Sequence, residues 1–197
     1  YPGKWRREWM ALGFVDPNNT GVNYCPLRYA DVVLMAAEAY NETNNTTEAW
    51  KLLNDVRQRA EATPITSANY ASLMKAPKVY NLDFIDDSDD AGKFRTALYW
   101  ERGFELCYEG QRKYDFLRWG CLGDALRAAQ AYIESWYPDA NEYINASTLQ
   151  SWDPVSWASS NYVAGHNFVD GKHELYPIPL AEIQSNAALN GQNNPGF

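Results

Sequence analysis

The fold follows from one stretch of the sequence, residues 27–42, which is LRYADVVLMAAEAYNE. Its apolar residues recur at the spacing of one face of an α-helix. They are Tyr29, Val32, Val33, Ala36, Ala37 and Tyr40. Because Leu34, Met35 and Ala39 extend the apolar surface around the rod, we predict a largely buried helix over residues 28–43.

A second helix of the same kind follows after a short connection. Asn44 and Asn45 end the first helix, and Thr46 or Thr47 can cap the next one. The second helix has its own apolar face, formed by Ala49, Leu52, Leu53, Val56 and Ala60. Because the connection is short, the two helices must run antiparallel, as an αα-hairpin of the helical-repeat kind.

Less regular sequence separates this hairpin from a second helical region. Residues 63–90 lose the helical periodicity and are predicted as a loop, at whose end Asp89 and Asp90 can cap the following helix. Further helices are predicted over residues 93–109, 112–119 and 124–136. After Pro138 the composition shifts to Asn, Ser, Trp and Tyr. We therefore predict a mainly α fold with helix hairpins, long irregular loops and an extended Pro-rich C-terminal tail.

The composition narrows the classes of function. The chain has 197 residues, a formal net charge of −8 and 15% aromatic residues. An acidic chain repels phosphate backbones and anionic lipids, which disfavours nucleic-acid binding and electrostatic docking to membranes. The longest strongly apolar run is far shorter than the roughly 20 residues that a membrane-spanning helix needs.

Signatures of cofactor and metal sites are missing from the sequence. It contains no P-loop, no G-x-G-x-x-G and no G-x-S-x-G motif. Cys25, Cys107 and Cys121 lack the spacing of a zinc site. The acidic run at residues 86–90 would need a glutamate where Leu98 stands to form an EF-hand loop. We therefore expect neither a cofactor nor a metal ion.

Charged residues concentrate on the predicted helices in a pattern that allows two interpretations. Glu101 and Glu105 lie one helical turn apart and could be the acid and base of a glycosidase. They also share a helix face with core aromatics and have Arg102, Arg112 and Arg118 available as partners, which favours a structural ion-pair network and no catalytic residue. The predicted network contains Arg28, Asp31, Glu38, Arg57, Glu101, Arg102, Glu105, Glu109, Arg112, Asp115 and Arg118.

Aromatic and amide side chains in the irregular stretch indicate a binding surface. A flat ring can stack on a sugar while an asparagine hydrogen-bonds the sugar hydroxyls. The candidate ligand-binding residues are Trp136, Tyr137, Trp152, Trp157, Asn161 and Tyr162. The same rings could instead fasten a long loop to the helices, in which case they would contact no ligand.

Four blocks of sequence form a recognisable pattern along the chain. The first is residues 27–42, quoted above, and the second is LNDVRQRA at residues 53–60. The third is ERGFELCYEGQR followed by YDFLRWG, within residues 101–120. The last is LYPIP at residues 175–179 together with the closing NNPGF at residues 193–197. In these blocks the chain resembles the SusD/RagB-like family of outer-membrane lipoproteins of Bacteroidota, and the resemblance implies a tetratricopeptide-like scaffold whose loops hold the ligand.

Members of this family are longer than this chain, so the resemblance implies that residues 1–197 are a C-terminal domain. The N-terminal half, the signal peptide and the lipid anchor are then expected upstream. The expected parts are an extended lead-in (1–26), a helix hairpin (27–62), a helical core (91–136), an irregular insertion (137–172) and a tail motif (173–197).

The resemblance also implies a function. We expect non-catalytic capture of oligosaccharides on the extracellular face of the bacterial outer membrane, in partnership with a TonB-dependent transporter. Two alternatives remain open, namely a peptide-binding member of the same family and a helical-repeat scaffold for protein interactions.

Overall fold

The computed structural model describes residues 4–10, 21–73, 87–136 and 164–197. Over these ranges the chain forms six α-helices and no β-strand, which confirms the predicted mainly α fold. The helices are α1 (Tyr29–Glu42), α2 (Thr46–Arg59), α3 (Asp90–Glu105), α4 (Arg112–Arg118), α5 (Leu122–Trp136) and α6 (Leu180–Ser185). Short 3-10 helices lie at Arg7–Trp9, Tyr70–Leu73, Ala164–Asn167 and Ala187–Leu189. No helix in the described ranges is both long and apolar enough to cross a membrane.

The chain divides into two compact units. The first consists of Tyr1–Lys75 and Ile85–Tyr114, and the second of Ala76–Phe84 and Asp115–Phe197. In the first unit, α1, α2 and α3 pack against one another. In the second unit, α5 packs against the 3-10 helix Ala164–Asn167.

The hairpin of α1 and α2 turns at two asparagines. Asn44 adopts a left-handed conformation with φ 63°, which asparagine tolerates better than most residues. The Asn45 side chain accepts a hydrogen bond from the backbone N–H of Glu48 at 3.4 Å, so Asn45 is the N-cap of α2. The prediction that Thr46 or Thr47 caps α2 is therefore wrong, because the helix already begins at Thr46.

One side of α1 is buried and the other is exposed. Leu34 and Ala37 are buried against the neighbouring helices, whereas Tyr29 is 81% exposed and Val32 is also exposed. The prediction of a largely buried helix is wrong, since α2 and α3 cover only the side of α1 that carries Leu34 and Ala37. Apolar periodicity identifies a helix, but it does not reveal how many neighbours the helix has.

α3 is the central helix of the first unit. The Asp89 side chain accepts a 2.7 Å hydrogen bond from the backbone N–H of Gly92, which confirms the predicted N-terminal cap. The helix ends at Glu105, four residues earlier than predicted. The chain then turns through Tyr108, with φ 63°, and Gly110, with φ 77°, and neither value is compatible with a continuing α-helix. Tyr108 is exposed in this turn.

In the second unit, side-chain and backbone contacts fasten the C-terminal segment. A Cβ atom on Gly165 would lie 2.5 Å from the carbonyl oxygen of Leu126, so only glycine allows this close approach to α5. Near the C-terminus, Asn194 donates to the carbonyl of Tyr176 at 2.6 Å, and the Lys172 ammonium lies 4.8 Å from the centre of the Phe197 ring.

Candidate functional site

The first unit contains a solvent-open pocket of about 380 Å³ with aromatic walls and a charged floor. We call it the tryptophan pocket. Trp5, Trp9 and Phe104 provide its aromatic surface. Its charged residues are Lys4, Arg28, Arg59, Glu105 and Glu109. This combination of flat rings and hydrogen-bonding groups is typical of small-molecule sites.

The N-terminal segment brings the two tryptophans to the pocket. Trp5 is held in place because its indole N–H donates to the carbonyl of Tyr108 at 2.8 Å and its ring contacts Tyr24, with 5.5 Å between ring centres. Trp9 lies in a short 3-10 helix and is 59% exposed. Phe104, near the end of α3, is also exposed. The pocket therefore presents aromatic surface that a ligand can reach.

Ion pairs form the floor of the pocket. The Glu105 carboxylate accepts hydrogen bonds from Arg28 and Arg59, and the Glu109 carboxylate accepts from Lys4 and from Nε of Arg28 at 2.7 Å. Both carboxylates are at least nine-tenths buried. These bonds hold the N-terminal segment, the N-cap of α1 and the last residue of α2 to the end of α3 and to the turn that follows it.

A pH dependence follows for Glu109. Burial raises the pKa of its carboxyl, but hydrogen bonds from Arg28 and Lys4 outweigh that effect and leave the pKa below its ordinary value. Such a group stabilises the fold above its unfolded-state pKa, and the contribution disappears as the pH falls through the folded-state pKa. We expect Glu109→Gln to be less stable than the parent at pH 7, and the difference to narrow below about pH 4.

Urea unfolding at pH 7, 5, 4 and 3 measures this difference. Glu48→Gln is a suitable control because Glu48 is only half-buried on α2 and pairs with the exposed Lys51. A stability difference between Glu109→Gln and the parent that stays constant over the whole pH range would contradict the assignment.

Two further ion pairs lie deeper, among α1, α2 and α3. Glu101 is only 5% exposed and accepts a hydrogen bond from Arg57, whose Nε also donates to the carbonyl of Thr63 at 2.8 Å. Asp31 and Arg102, both buried, form a second pair at 2.8 Å. The partner of Glu101 therefore comes from α2, not from the arginines nearest in sequence.

Burial raises the pKa of Glu101, and the hydrogen bond and charge of Arg57 only partly offset this effect. A raised carboxyl pKa can indicate a general acid. However, a general acid must also come within hydrogen-bond reach of the substrate. Because Glu101 is buried beneath its arginine partner, this geometry does not support the glycosidase interpretation.

The remaining members of the predicted ion-pair network lie outside the pocket floor and outside the two buried pairs. Glu38 is half-buried on α1. Arg112 donates to the carbonyl of Tyr99 at 2.8 Å, and its guanidinium lies 4.0 Å from the centre of the Tyr99 ring. In the second unit, Asp115 is buried and pairs with Arg118 at 3.1 Å.

The loop residues predicted to bind ligand lie outside the described part of the protein. This applies to Tyr137, Trp152, Trp157, Asn161 and Tyr162 and to the side chain of Trp136. Trp5 and Trp9 fall in the predicted extended lead-in (1–26) and have no predicted ligand contact. Their four-residue spacing in the segment KWRREW, with four charged residues nearby, was a signal that could have identified them.

The cysteines of the first unit are single thiols. Cys25 is exposed at the edge of the tryptophan pocket, and Cys107 is exposed in the turn after α3. Among the described residues, no three His, Cys, Asp or Glu side chains come together in a group able to hold a metal ion.

Comparisons with known proteins identify the family. The model of the SusD family matches residues 3–197. SusD-like protein P25 of Formosa agariphila is 31% identical over 171 residues, which cover 87% of this chain and 24% of that protein. SusD-like protein P2 of the same organism is 33% identical over 191 residues, which cover 96% of this chain and 29% of that protein.

The chain thus spans about a quarter of the length of these curated relatives. No solved structure matches it significantly. The family match extends over nearly the whole sequence and agrees with the mainly helical fold. The chain therefore belongs to the SusD family.

Proposed function

We propose that this protein is a glycan-binding component of a nutrient-uptake system. It captures oligosaccharides on the extracellular face of a bacterial outer membrane and passes them to a TonB-dependent transporter, without catalysing a reaction. A lipid anchor upstream of this chain would attach it to the membrane. Membership of the SusD family supports the proposal, and the tryptophan pocket is the observation in the structure that carries it.

The geometry of the tryptophan pocket suits capture of a sugar. Trp9 and Phe104 are exposed, and the C–H face of a sugar can stack on such rings. Arg59 is exposed beside them and can donate hydrogen bonds to sugar oxygens. The buried ion pairs keep the floor in one arrangement, so a ligand would meet a preformed surface.

The burial and pairing of the glutamate carboxylates agree with capture without catalysis. Glu101 is buried and paired with Arg57, and Glu105 is held by two arginines. A glycosidase needs one carboxylic acid poised to protonate the leaving group and a second carboxylate that is free to attack or to activate water. Neither glutamate meets these requirements.

Five aromatic residues and one asparagine, at the end of α5 and in the irregular stretch, are proposed as further ligand contacts. They are Trp136, Tyr137, Trp152, Trp157, Asn161 and Tyr162. We expect Trp152→Ala or Trp157→Ala to weaken glycan binding by roughly fivefold or more, because a stacked aromatic ring contributes about 1 kcal/mol beyond its buried area. Trp152→Phe and Trp157→Phe, which keep a flat ring, are the matched controls and are expected to lose less affinity.

Titration of the full-length protein with a panel of plant, host and starch oligosaccharides tests both the proposed glycan capture and the proposed loop contacts. Tryptophan fluorescence and calorimetry report binding independently. Equal affinity of the parent and both alanine variants would remove the loop residues from the proposed site. Failure of every glycan in the panel to bind would contradict the proposed function itself.

A helical-repeat scaffold for protein interactions is the second candidate, and one observation favours it. Tyr29, Val32, Met35 and Tyr40 expose an apolar strip along α1. A groove of about 320 Å³ between α1 and α2 lies beside this strip. Apolar patches of this kind can mark surfaces for protein contact. If this strip binds a protein partner, Tyr29→Ala will weaken binding of that partner without changing the affinity for glycans. A peptide-binding role within the same family would instead appear as saturable binding of peptides.

A further inference from the structure

We propose that the tryptophan pocket binds an acidic sugar unit, whose carboxylate or sulfate group is held by Arg59 while its ring stacks on Trp9. This inference rests on the proposed function, because it names the class of glycan that the pocket accepts. It also assigns the site to the first unit, at residues not included among the predicted loop contacts.

The balance of charge around the pocket is the first argument. Lys4, Arg28 and Arg59 provide three positive charges, whereas Glu105 and Glu109 provide two negative charges. The pocket therefore carries an excess of one positive charge in a protein whose formal net charge is −8. At physiological salt, charges more than about 8 Å apart are largely screened. A ligand inside the pocket is therefore governed by these near neighbours more than by the acidic surface elsewhere.

The availability of hydrogen-bond donors is the second argument. The Arg59 side chain is 60% exposed, and its Nη2 donates to Glu105. Within the described residues, Nε and Nη1 of Arg59 make no hydrogen bond. A guanidinium binds planar or tetrahedral anions through paired N–H groups, and such charge-assisted bonds are stronger than bonds to neutral oxygens.

The hydrogen bonds that the two pocket carboxylates already accept support the same class of ligand. The Glu105 carboxylate receives two arginines, and both oxygens of Glu109 accept hydrogen bonds. The positive charges of these partners offset the negative charge of each carboxylate. The paired carboxylates would therefore repel an incoming anion less than free carboxylates would. A ligand that supplies acceptors is therefore favoured over one that supplies mainly donors.

The size and the walls of the pocket fit a sugar residue. Its volume of about 380 Å³ lies at the lower end of the range of small-molecule sites, roughly 300–1,000 Å³. Trp9 and Phe104 are both exposed at its edge. A pyranose ring placed against Trp9 would bring its charged substituent toward Arg59, since both side chains line the same pocket.

Calorimetric titration of the full-length protein tests this inference with matched pairs of probes. One pair is trigalacturonate and its methyl ester, which share a skeleton and differ in charge. The other pair is a sulfated galactose disaccharide and its unsulfated form. We expect at least one acidic probe to bind at least tenfold more tightly than its neutral counterpart. The pair that shows the preference identifies the anionic group as a carboxylate or a sulfate.

Two variants test whether the preference for acidic probes arises in the tryptophan pocket. Arg59→Gln is expected to weaken binding of the acidic probe at least tenfold and binding of the neutral probe by a clearly smaller factor, because the acidic probe loses a charge-assisted hydrogen bond and the neutral probe an ordinary one. Trp9→Ala is expected to weaken both probes. The controls are Arg95→Gln, which removes an exposed arginine paired with Glu42, and Tyr114→Ala, which removes another exposed ring. Both controls should bind like the parent.

The outcomes separate this inference from the proposed function. Binding of acidic probes that Arg59→Gln leaves unchanged, or binding of neutral glycans alone, would overturn the acidic-sugar site and leave glycan capture standing. Absence of binding to the four probes would overturn the site, and absence of binding across the wider oligosaccharide panel as well would overturn the proposed function.

Discussion

Replacing Arg57 by methionine is expected to lower the free energy of unfolding by about 3–5 kcal/mol at pH 7, because it leaves a buried glutamate without its partner. Glu101 is 5% exposed and receives a hydrogen bond from Arg57. Methionine keeps most of the aliphatic volume of the arginine but provides no charge and no donor. Urea or thermal unfolding of the variant measures the loss.

The pH dependence of this loss distinguishes an orphaned charge from a packing defect. Burial already raises the pKa of Glu101, and Arg57 lowers it, so removing Arg57 raises that pKa further. A carboxyl whose pKa is raised in the folded state destabilises the protein as the pH rises through the interval between its unfolded and folded pKa values. The deficit of the variant should therefore be largest at pH 7 and smaller near pH 4.

A second substitution and a surface control complete the test. Adding Glu101→Gln to Arg57→Met removes the buried charge and should restore part of the lost stability at pH 7. Arg95→Met breaks an exposed pair with Glu42 and should cost no more than about 1 kcal/mol. A deficit for Arg57→Met that is below 1 kcal/mol, or that does not depend on pH, would contradict a structural role for the pair.

Truncation of Phe94 to alanine is expected to cost about 3–5 kcal/mol, since it opens a cavity in the centre of the first unit. The Phe94 side chain is fully buried on α3 and meets the Trp50 ring edge to face, with 5.1 Å between ring centres. The loss therefore combines the transfer free energy of the ring, the cavity and an aromatic contact.

Phe104→Ala is the matched control, because it makes the same substitution on the same helix at an exposed position. We expect it to cost about 1 kcal/mol or less. Denaturant unfolding with both variants measures the contrast. Equal losses at the two positions would contradict the placement of the core on the Phe94 side of α3.

Local sequence signals predicted the helices and one of their caps. The apolar spacing of residues 27–42 and 49–60 was sufficient for the hairpin of α1 and α2, because a three-to-four-residue period is a property of the helix itself. Asp89 was identifiable as a cap because its side chain bonds the backbone N–H of Gly92, only three residues away.

Features that depend on distant parts of the chain could not be predicted in this way. Glu101 finds its partner Arg57 44 residues away, and Glu105 finds Arg28 77 residues away. Sequence spacing identified the charged residues without revealing which of them would meet. The exposure of Tyr29 likewise depends on how many helices pack around α1, and the periodicity of α1 carries no information on that number.

The tryptophan pocket shows the same limit. It forms where residues 4–9 meet the end of α3 and the chain that follows, about a hundred residues later. The spacing of Trp5 and Trp9 marks the first segment, but neither segment alone reveals that it meets the other. The aromatic loop residues could be identified from the sequence because they are close together along the chain. Trp9 and Phe104, in contrast, become neighbours only in the folded protein.

The most direct test of glycan capture is calorimetric titration of the full-length protein and its Trp9→Ala variant with the oligosaccharide panel, followed by analysis of the sugars recovered afterwards. Our account predicts saturable binding to the parent, weaker binding to the variant and recovery of every oligosaccharide at its original length. Absence of saturable binding, equal binding by both proteins, or the appearance of shortened oligosaccharides would contradict non-catalytic capture at this pocket.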